Sequence, residues 1–260
     1  MKKAGISIAL IGAIAVNSYA LSPKRFEVQY NYERLDPYSD YGEWNSIDMM
    51  LYGKEGEDWT PFVGGSIIDR KIEGSAALGV LGTYKDWTDW LYTYSSISFG
   101  TNSEYLPKYR LDHEFNFKLG PQQQYVLTAA GTYIKYWDVH KDIVLSLGGT
   151  VYYGKFVGTL RYFHNISKPG NVRSSSYLIS LEYGAEKDQW TYLNLSWGKQ
   201  AYMATNLSNP EEVRENSTIV GIGHRHWLSN TFGVIGELEY MRLENSYNKY
   251  RISGGVFIDF

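Results

Sequence analysis

Five histidines, His113, His140, His164, His224 and His226, are the residues of this chain best suited to acid–base or metal chemistry. A hydrolytic site would need one of them beside a Ser nucleophile and oriented by a third polar group. Their neighbours argue against that. His113 falls between Leu111 and Phe115, on the apolar side of an alternating segment. His164 follows Tyr162 on a similar side, His140 sits in a connection, and His224 and His226 share a side with Val220 and Ile222. The run His224-Arg225-His226 sets two imidazoles next to each other, but spacing offers no third ligand, so a surface pair is expected. No phosphate-binding loop, HExxH or GxSxG motif occurs. No catalytic residue, metal ligand or cofactor site is therefore assigned, and the chain is expected not to be an enzyme.

The charged residues are more informative, because they alternate with apolar ones. In Tyr109–Leu119, the residues Tyr109, Leu111, Phe115, Phe117 and Leu119 share one side with His113. Arg110, Asp112, Glu114, Asn116 and Lys118 share the other. A period of two places the two sets on opposite faces of a β-strand. Phe26, Val28, Tyr30 and Tyr32 oppose Arg25, Glu27, Gln29, Asn31 and Glu33 in the same way, and the pattern returns around Arg161, Glu182, Arg225, Glu237, Glu239 and Arg251.

The elements that must carry these faces are long. About fourteen alternating segments run from Arg25 to the end, each at least as long as the roughly 9–11 residues a tilted strand needs to cross a bilayer. Their expected spans are 25–34, 44–53, 59–68, 72–84, 88–99, 108–119, 124–135, 142–153, 156–166, 175–184, 189–199, 216–227, 231–243 and 249–260. The Gly-rich stretch 59–84 alternates least, which leaves twelve strands as the alternative. Strands of a soluble β-sandwich average only about 5–6 residues. Short links near 54–58, 85–87, 120–123, 154–155, 185–189 and 228–230 alternate with generally longer ones near 35–43, 100–107, 167–174 and 200–215. Short inner turns and longer outer loops are the habit of bacterial outer-membrane barrels. The fold expected is all-β, a transmembrane antiparallel up-and-down β-barrel.

Composition agrees. The chain has no Cys, 24 Tyr and 8 Trp, and no run of apolar residues long enough for a transmembrane helix. Lys2 and Lys3, the apolar stretch Ala4 to Val16, and the small residues Ser18 and Ala20 form a signal peptide expected to be cut after Ala20. This divides the chain into a signal peptide, 1–20, and a barrel domain, 21–260. Loss of 1–20 removes two lysines and no acid, so the formal charge falls from −3 to −5, which does not favour nucleic-acid binding.

The chain ends in Val256-Phe257-Ile258-Asp259-Phe260, with Phe260, Ile258, Val256 and Ile252 on one strand face. A closing strand of this kind resembles the terminal strand by which outer-membrane barrels are read by the barrel-assembly machinery, so Phe260 is the candidate assembly signal. The stretch Glu104–Leu111 resembles the aromatic/Leu-Pro step that opens a middle strand in YaiO-family outer-membrane barrels. The loop Ser208–Glu212 and the closing hairpin Phe232–Phe260 also look like that family. The resemblance implies an outer-membrane location. Similar barrels form the C-terminal part of polysaccharide-export proteins with helical repeats in front, and no such repeats are present here. The family has no established catalytic residues to carry over.

Function then turns on the face opposite the lipid. Lipid-facing Arg or Lys at mid-membrane costs about 2–4 kcal/mol, so the charged face belongs inside. Glu27, Arg110, Asp112, Glu114, Arg161, Glu182, Arg225, Glu237, Glu239 and Arg251 are the candidate lumen-lining residues. Gly148, Gly221, Gly223, Gly233 and Gly255 fall on the same faces and are expected to leave space. Two functions fit: a narrow channel or translocation component for saccharides or small polar solutes in envelope or exopolysaccharide traffic, or a structural or surface-exposed barrel whose lumen is filled by ion pairs. An outer-membrane lipid hydrolase is the third. The expected partners are outer-membrane lipid, the assembly machinery and a saccharide ligand.

Overall fold

A computed structural model describes residues 22–37, 42–103, 105–199 and 216–260. The expected signal peptide and the loop Ser208–Glu212 lie outside the described residues. The chain forms one closed barrel of fourteen antiparallel strands in sequence order: β1 (Ser22–Asp36), β2 (Glu43–Lys54), β3 (Trp59–Arg70), β4 (Gly74–Thr88), β5 (Leu91–Gly100), β6 (Tyr109–Leu119), β7 (Tyr125–Lys135), β8 (Lys141–Tyr153), β9 (Phe156–Lys168), β10 (Val172–Ala185), β11 (Gln189–Lys199), β12 (Asn216–Trp227), β13 (Phe232–Leu243) and β14 (Asn248–Asp259). β14 pairs back onto β1, with Phe26 opposite Ile258 and Glu33 opposite Arg251, so no sheet edge is left open.

The six connections at the end that holds both chain termini are two to five residues long, and those at the other end run from three to sixteen. Short turns mark the periplasmic end. Two expectations change here. β4 continues through the expected link 85–87 to Thr88, and the link 167–174 shrinks to residues 169–171, because β9 and β10 stay paired up to Val172 opposite Ser167. The length difference between the ends therefore rests mainly on residues 101–108 and 200–215.

The outer wall is what a bilayer requires. Aliphatic side chains such as Leu81, Leu127, Leu147, Leu160 and Leu181 are open on its middle. Aromatic rings pair across strands on either side of them. Tyr109–Tyr133, Tyr177–Trp197 and Tyr240–Tyr250 lie toward the outer end, and Trp90–Phe117 and Phe156–Tyr183 at the periplasmic end. These are the two interfacial girdles of an outer-membrane barrel.

The inner face is not uniformly polar. Phe62, Val80 and Tyr94 cluster on the inside of β3–β5. Above them, Ile68, Ala76 and Leu78 are covered by Leu106, which the connection 101–108 folds into the outer mouth. Tyr105 anchors that connection by donating to the Gly74 carbonyl at 2.8 Å and by stacking on the Arg70 guanidinium, which also lies over Trp44.

Candidate functional site

The inner wall of β12–β14 and β1 is ionic. Arg251 stands directly opposite Glu239 on β13 and Glu33 on β1. Cross-strand partners on one face lie within side-chain reach, which the register alone secures. Its Nη2 donates to Glu239 at 2.9 Å, with Glu237 and Glu33 at 3.9 Å, and Lys249 reaches Glu33 at 3.4 Å. Arg225 extends from β12 over two intervening strands to hold both oxygens of Glu27 on β1, one at 3.0 Å. The Tyr192 hydroxyl donates to Glu237. At the periplasmic rim Asp259 takes Arg25 at 2.6 Å and the Trp227 indole N–H at 2.9 Å.

The wall across the lumen carries charge in self-contained pairs. Arg110 grips Asp112 through two nitrogens at 2.8–3.0 Å, and Thr132 donates to the same carboxylate at 2.6 Å. Arg161 on β9 spans β8 and β7 to meet Glu114 at 2.6 Å, and its Nε and Nη2 also donate to Ser146 at 3.1 and 2.9 Å. Toward the periplasm this wall becomes aromatic, with Phe62 on Tyr94 at 5.9 Å and Tyr84 on Tyr94 at 5.0 Å.

All ten candidate residues lie on the inner face, but they do not form one site. Glu27, Glu182, Arg225, Glu237, Glu239 and Arg251 line a single cavity of about 290 Å³. Arg110, Asp112, Glu114 and Arg161 stand apart from it on the other wall. The cavity also takes in Asp48, Tyr52, Trp190, Tyr192 and Asn194. None of the three aromatic members was named from the sequence. Their parity with Asp48 on β2 and with Asn194 on β11 would have placed them inside.

Of the five inner glycines expected to leave space, Gly221 lines the cavity, and the other four are closed. Tyr192 lies over Gly223, Phe257 over Gly233 and Phe62 over Gly82, each ring so close that a Cβ would come 2.1–2.2 Å from it. Each ring stands directly opposite its glycine in register, so the glycine is the seat on which the ring lies flat. Gly148 and Gly255 are closed by the Arg161 stem and by the Val28 carbonyl.

The strand histidines face outward, and His140 lies in the connection between β7 and β8, paired with Asp138. His224 and His226 stack at 6.0 Å, and Thr191 bonds His224 at 2.8 Å. Ser95 and His113 share a hydrogen bond of 2.8 Å on the lipid side, a Ser–His contact that a search of the inner register alone passes over. His113 is near the middle of β6, and the pair has no third polar partner among the described residues. The bond pairs two polar groups that would otherwise be left unsatisfied at the lipid face. Among the described residues no three His, Asp or Glu side chains converge as metal ligands.

A closed fourteen-stranded barrel with two aromatic girdles and a polar inner wall is a bacterial outer-membrane β-barrel. The chain belongs to the YaiO membrane β-barrel family, whose model matches residues 23–203, through β11. The closing hairpin lies beyond that match. No curated protein matches the chain. Among solved structures, the CymD monoaromatic hydrocarbon channel is 12% identical, with 93% of this chain and 89% of that one covered and a TM-score of 0.61. A bacterial polysaccharide outer membrane secretin is 9% identical over 90% and 98%, with a TM-score of 0.56. Outer membrane protein Omp33 of Acinetobacter baumannii is 11% identical over 93% and 100%, with a TM-score of 0.52. At these identities the likeness is one of fold.

Proposed function

We propose that this barrel is a narrow channel or translocation component for saccharides or small polar solutes in envelope or exopolysaccharide traffic. The observation that carries the reading is the cavity inside the barrel. Its wall combines hydrogen-bonding groups of both kinds with the rings of Tyr52, Trp190 and Tyr192. An aromatic ring offers a flat apolar body and, in Tyr and Trp, a polar tip, which suits the apolar faces and hydroxyl edges of a sugar. The family and the fold-level likeness to a polysaccharide secretin supply the envelope context, as analogy. Phe260 serves in this reading as the signal to the assembly machinery, and its deletion should slow insertion.

One set of contacts favours a filled, structural lumen instead: the buried Arg251–Glu239–Glu33–Lys249 cluster, and Phe257, wholly buried at the periplasmic end. Single-channel conductance in planar bilayers separates the two. For a channel, Arg161→Ala and Glu237→Ala change conductance or selectivity while stability barely moves. For a filled barrel, wild-type conductance is negligible and each change strands its partner at a cost of roughly 3–5 kcal/mol. A measured pore indifferent to both substitutions would defeat the channel as placed here. The hydrolase alternative has the one Ser–His contact among the described residues in its favour, Ser95–His113, near mid-strand, where lipid ester groups do not lie.

A further inference from the structure

The charges on the cavity wall do not cancel. Glu27, Asp48, Glu182, Glu237 and Glu239 face two guanidiniums, those of Arg225 and Arg251. Glu27 is held by Arg225, with Arg25 also 3.9 Å from it, and Glu239 by Arg251, which still leaves five carboxylates against three cations. Asp48 accepts a hydrogen bond from Asn31 at 2.6 Å, and Glu182 accepts one from the Trp190 indole at 2.7 Å. Neither carboxylate has a cation within salt-bridge distance among the described residues. An independent sign comes from Asn194, which lines the same cavity, is 1% exposed, and has a side-chain carbonyl oxygen that receives no hydrogen bond among the described residues. Carboxylates thus outnumber cations on this wall. On the opposite wall Arg110 and Arg161 are matched one for one by Asp112 and Glu114, so these pairs do not offset the excess.

We infer that the lumen selects cations over anions, that Asp48 and Glu182 set this preference, and that among saccharides it admits neutral and amino-bearing ones and rejects uronates. A ring of carboxylates on a narrow path draws cations and repels anions. A neutral sugar can give its hydroxyl hydrogens to the spare acceptors, and a protonated amine can do so with charge as well. A uronate would bring a further negative charge into a low-dielectric space that already holds too many. This rests on the reading of the lumen as a path.

The test uses the full barrel in planar bilayers under a KCl gradient. The reversal potential should show K⁺ favoured over Cl⁻ roughly threefold or more, since wall charges are felt across about 10 Å at 0.1 M salt. Asp48→Asn and Glu182→Gln, which keep shape and hydrogen bonding, should each lower the ratio, and the pair should bring it near unity. Asp138→Asn, in the connection outside the barrel, should leave it unchanged. A wild-type pore that is unselective or prefers Cl⁻ overturns the inference and leaves the channel standing, and this measurement needs no variant to fold. A selective pore untouched by both substitutions overturns the assignment of Asp48 and Glu182. If the bilayer stays silent, the channel reading fails, and terbium luminescence of the detergent-solubilised barrel decides the electrostatic part. Tyr52, Tyr192 and Trp190 line the same cavity and can sensitise a bound ion. Emission that disappears in the double variant supports a cation site in a closed lumen, and absence of emission overturns it.

Discussion

Strands β12–β14 and β1 turn Arg225, Glu237, Glu239, Arg251 and Glu33 toward the lumen, while β3–β5 turn Phe62, Ile68, Leu78, Val80 and Tyr94 toward it. Both walls obey the same period of two, and both are closed by the same backbone ladder. They differ in what satisfies the inward face. The ionic wall satisfies itself through cross-strand partners set by register, as with Arg251 between Glu33 and Glu239. The apolar wall needs a cover, and Leu106 with Pro107 supplies it from a connection rather than from a strand. A barrel interior is therefore a mosaic of a charge network and a small hydrophobic core, with the cavity beside the first.

The largest expected effect tests whether the ionic wall is held as firmly as the apolar one. Arg251 and Glu239 are both nearly closed to solvent, so Arg251→Ala leaves Glu239 and Glu33 without their shared cation and should cost about 3–5 kcal/mol. Phe62→Ala, which empties the centre of the apolar wall, should cost about as much through the cavity it leaves. Urea unfolding in liposomes, followed by heat-modifiable gel mobility, compares the two directly. If Arg251→Ala is nearly neutral while Phe62→Ala is not, water already reaches the ion cluster and the lumen is more open than its contacts suggest.

The same contrast explains what could be seen in the sequence. Where one face was charged and the other apolar, strand bounds came out within a few residues, as for Tyr109–Leu119. The stretch 59–84 alternated poorly because both faces of β3 and β4 are apolar. Ile67 and Leu81 meet lipid, while Phe62, Ile68, Leu78 and Val80 are buried inside. Alternation cannot show a strand whose two faces agree. The polar parity of β1, β6, β9, β10, β12, β13 and β14 was legible because membrane physics forbids the reverse register. The grouping was not. That Arg225 spans two strands to Glu27, whereas Arg110 turns to its own neighbour Asp112, depends on barrel closure and rotamers. The infolding of 101–108 is likewise a tertiary event.

The smallest effect concerns the glycines, where sequence and structure parted most sharply. Gly223 and Gly233 were expected to widen the lumen, and the structure makes each a seat for a ring, as it does Gly82. Gly82 shows why the distinction can be measured. A Cβ there would lie 2.2 Å from the Phe62 ring and 2.7 Å from the Ser95 carbonyl oxygen. The ring can tilt away, but the carbonyl belongs to the paired strand β5 and cannot move without disturbing the ladder. Gly82→Ala should therefore destabilise by about 1–3 kcal/mol, the usual cost of overpacking. In a Phe62→Ala background only the carbonyl conflict remains, so the double variant should fall short of the sum by roughly 1 kcal/mol. Strict additivity would mean that ring and glycine do not touch, and the inner wall at β3–β5 would then be looser than the flat seating of Phe62 implies. A gain in stability from Gly82→Ala alone would go further and restore the expectation that these glycines leave room.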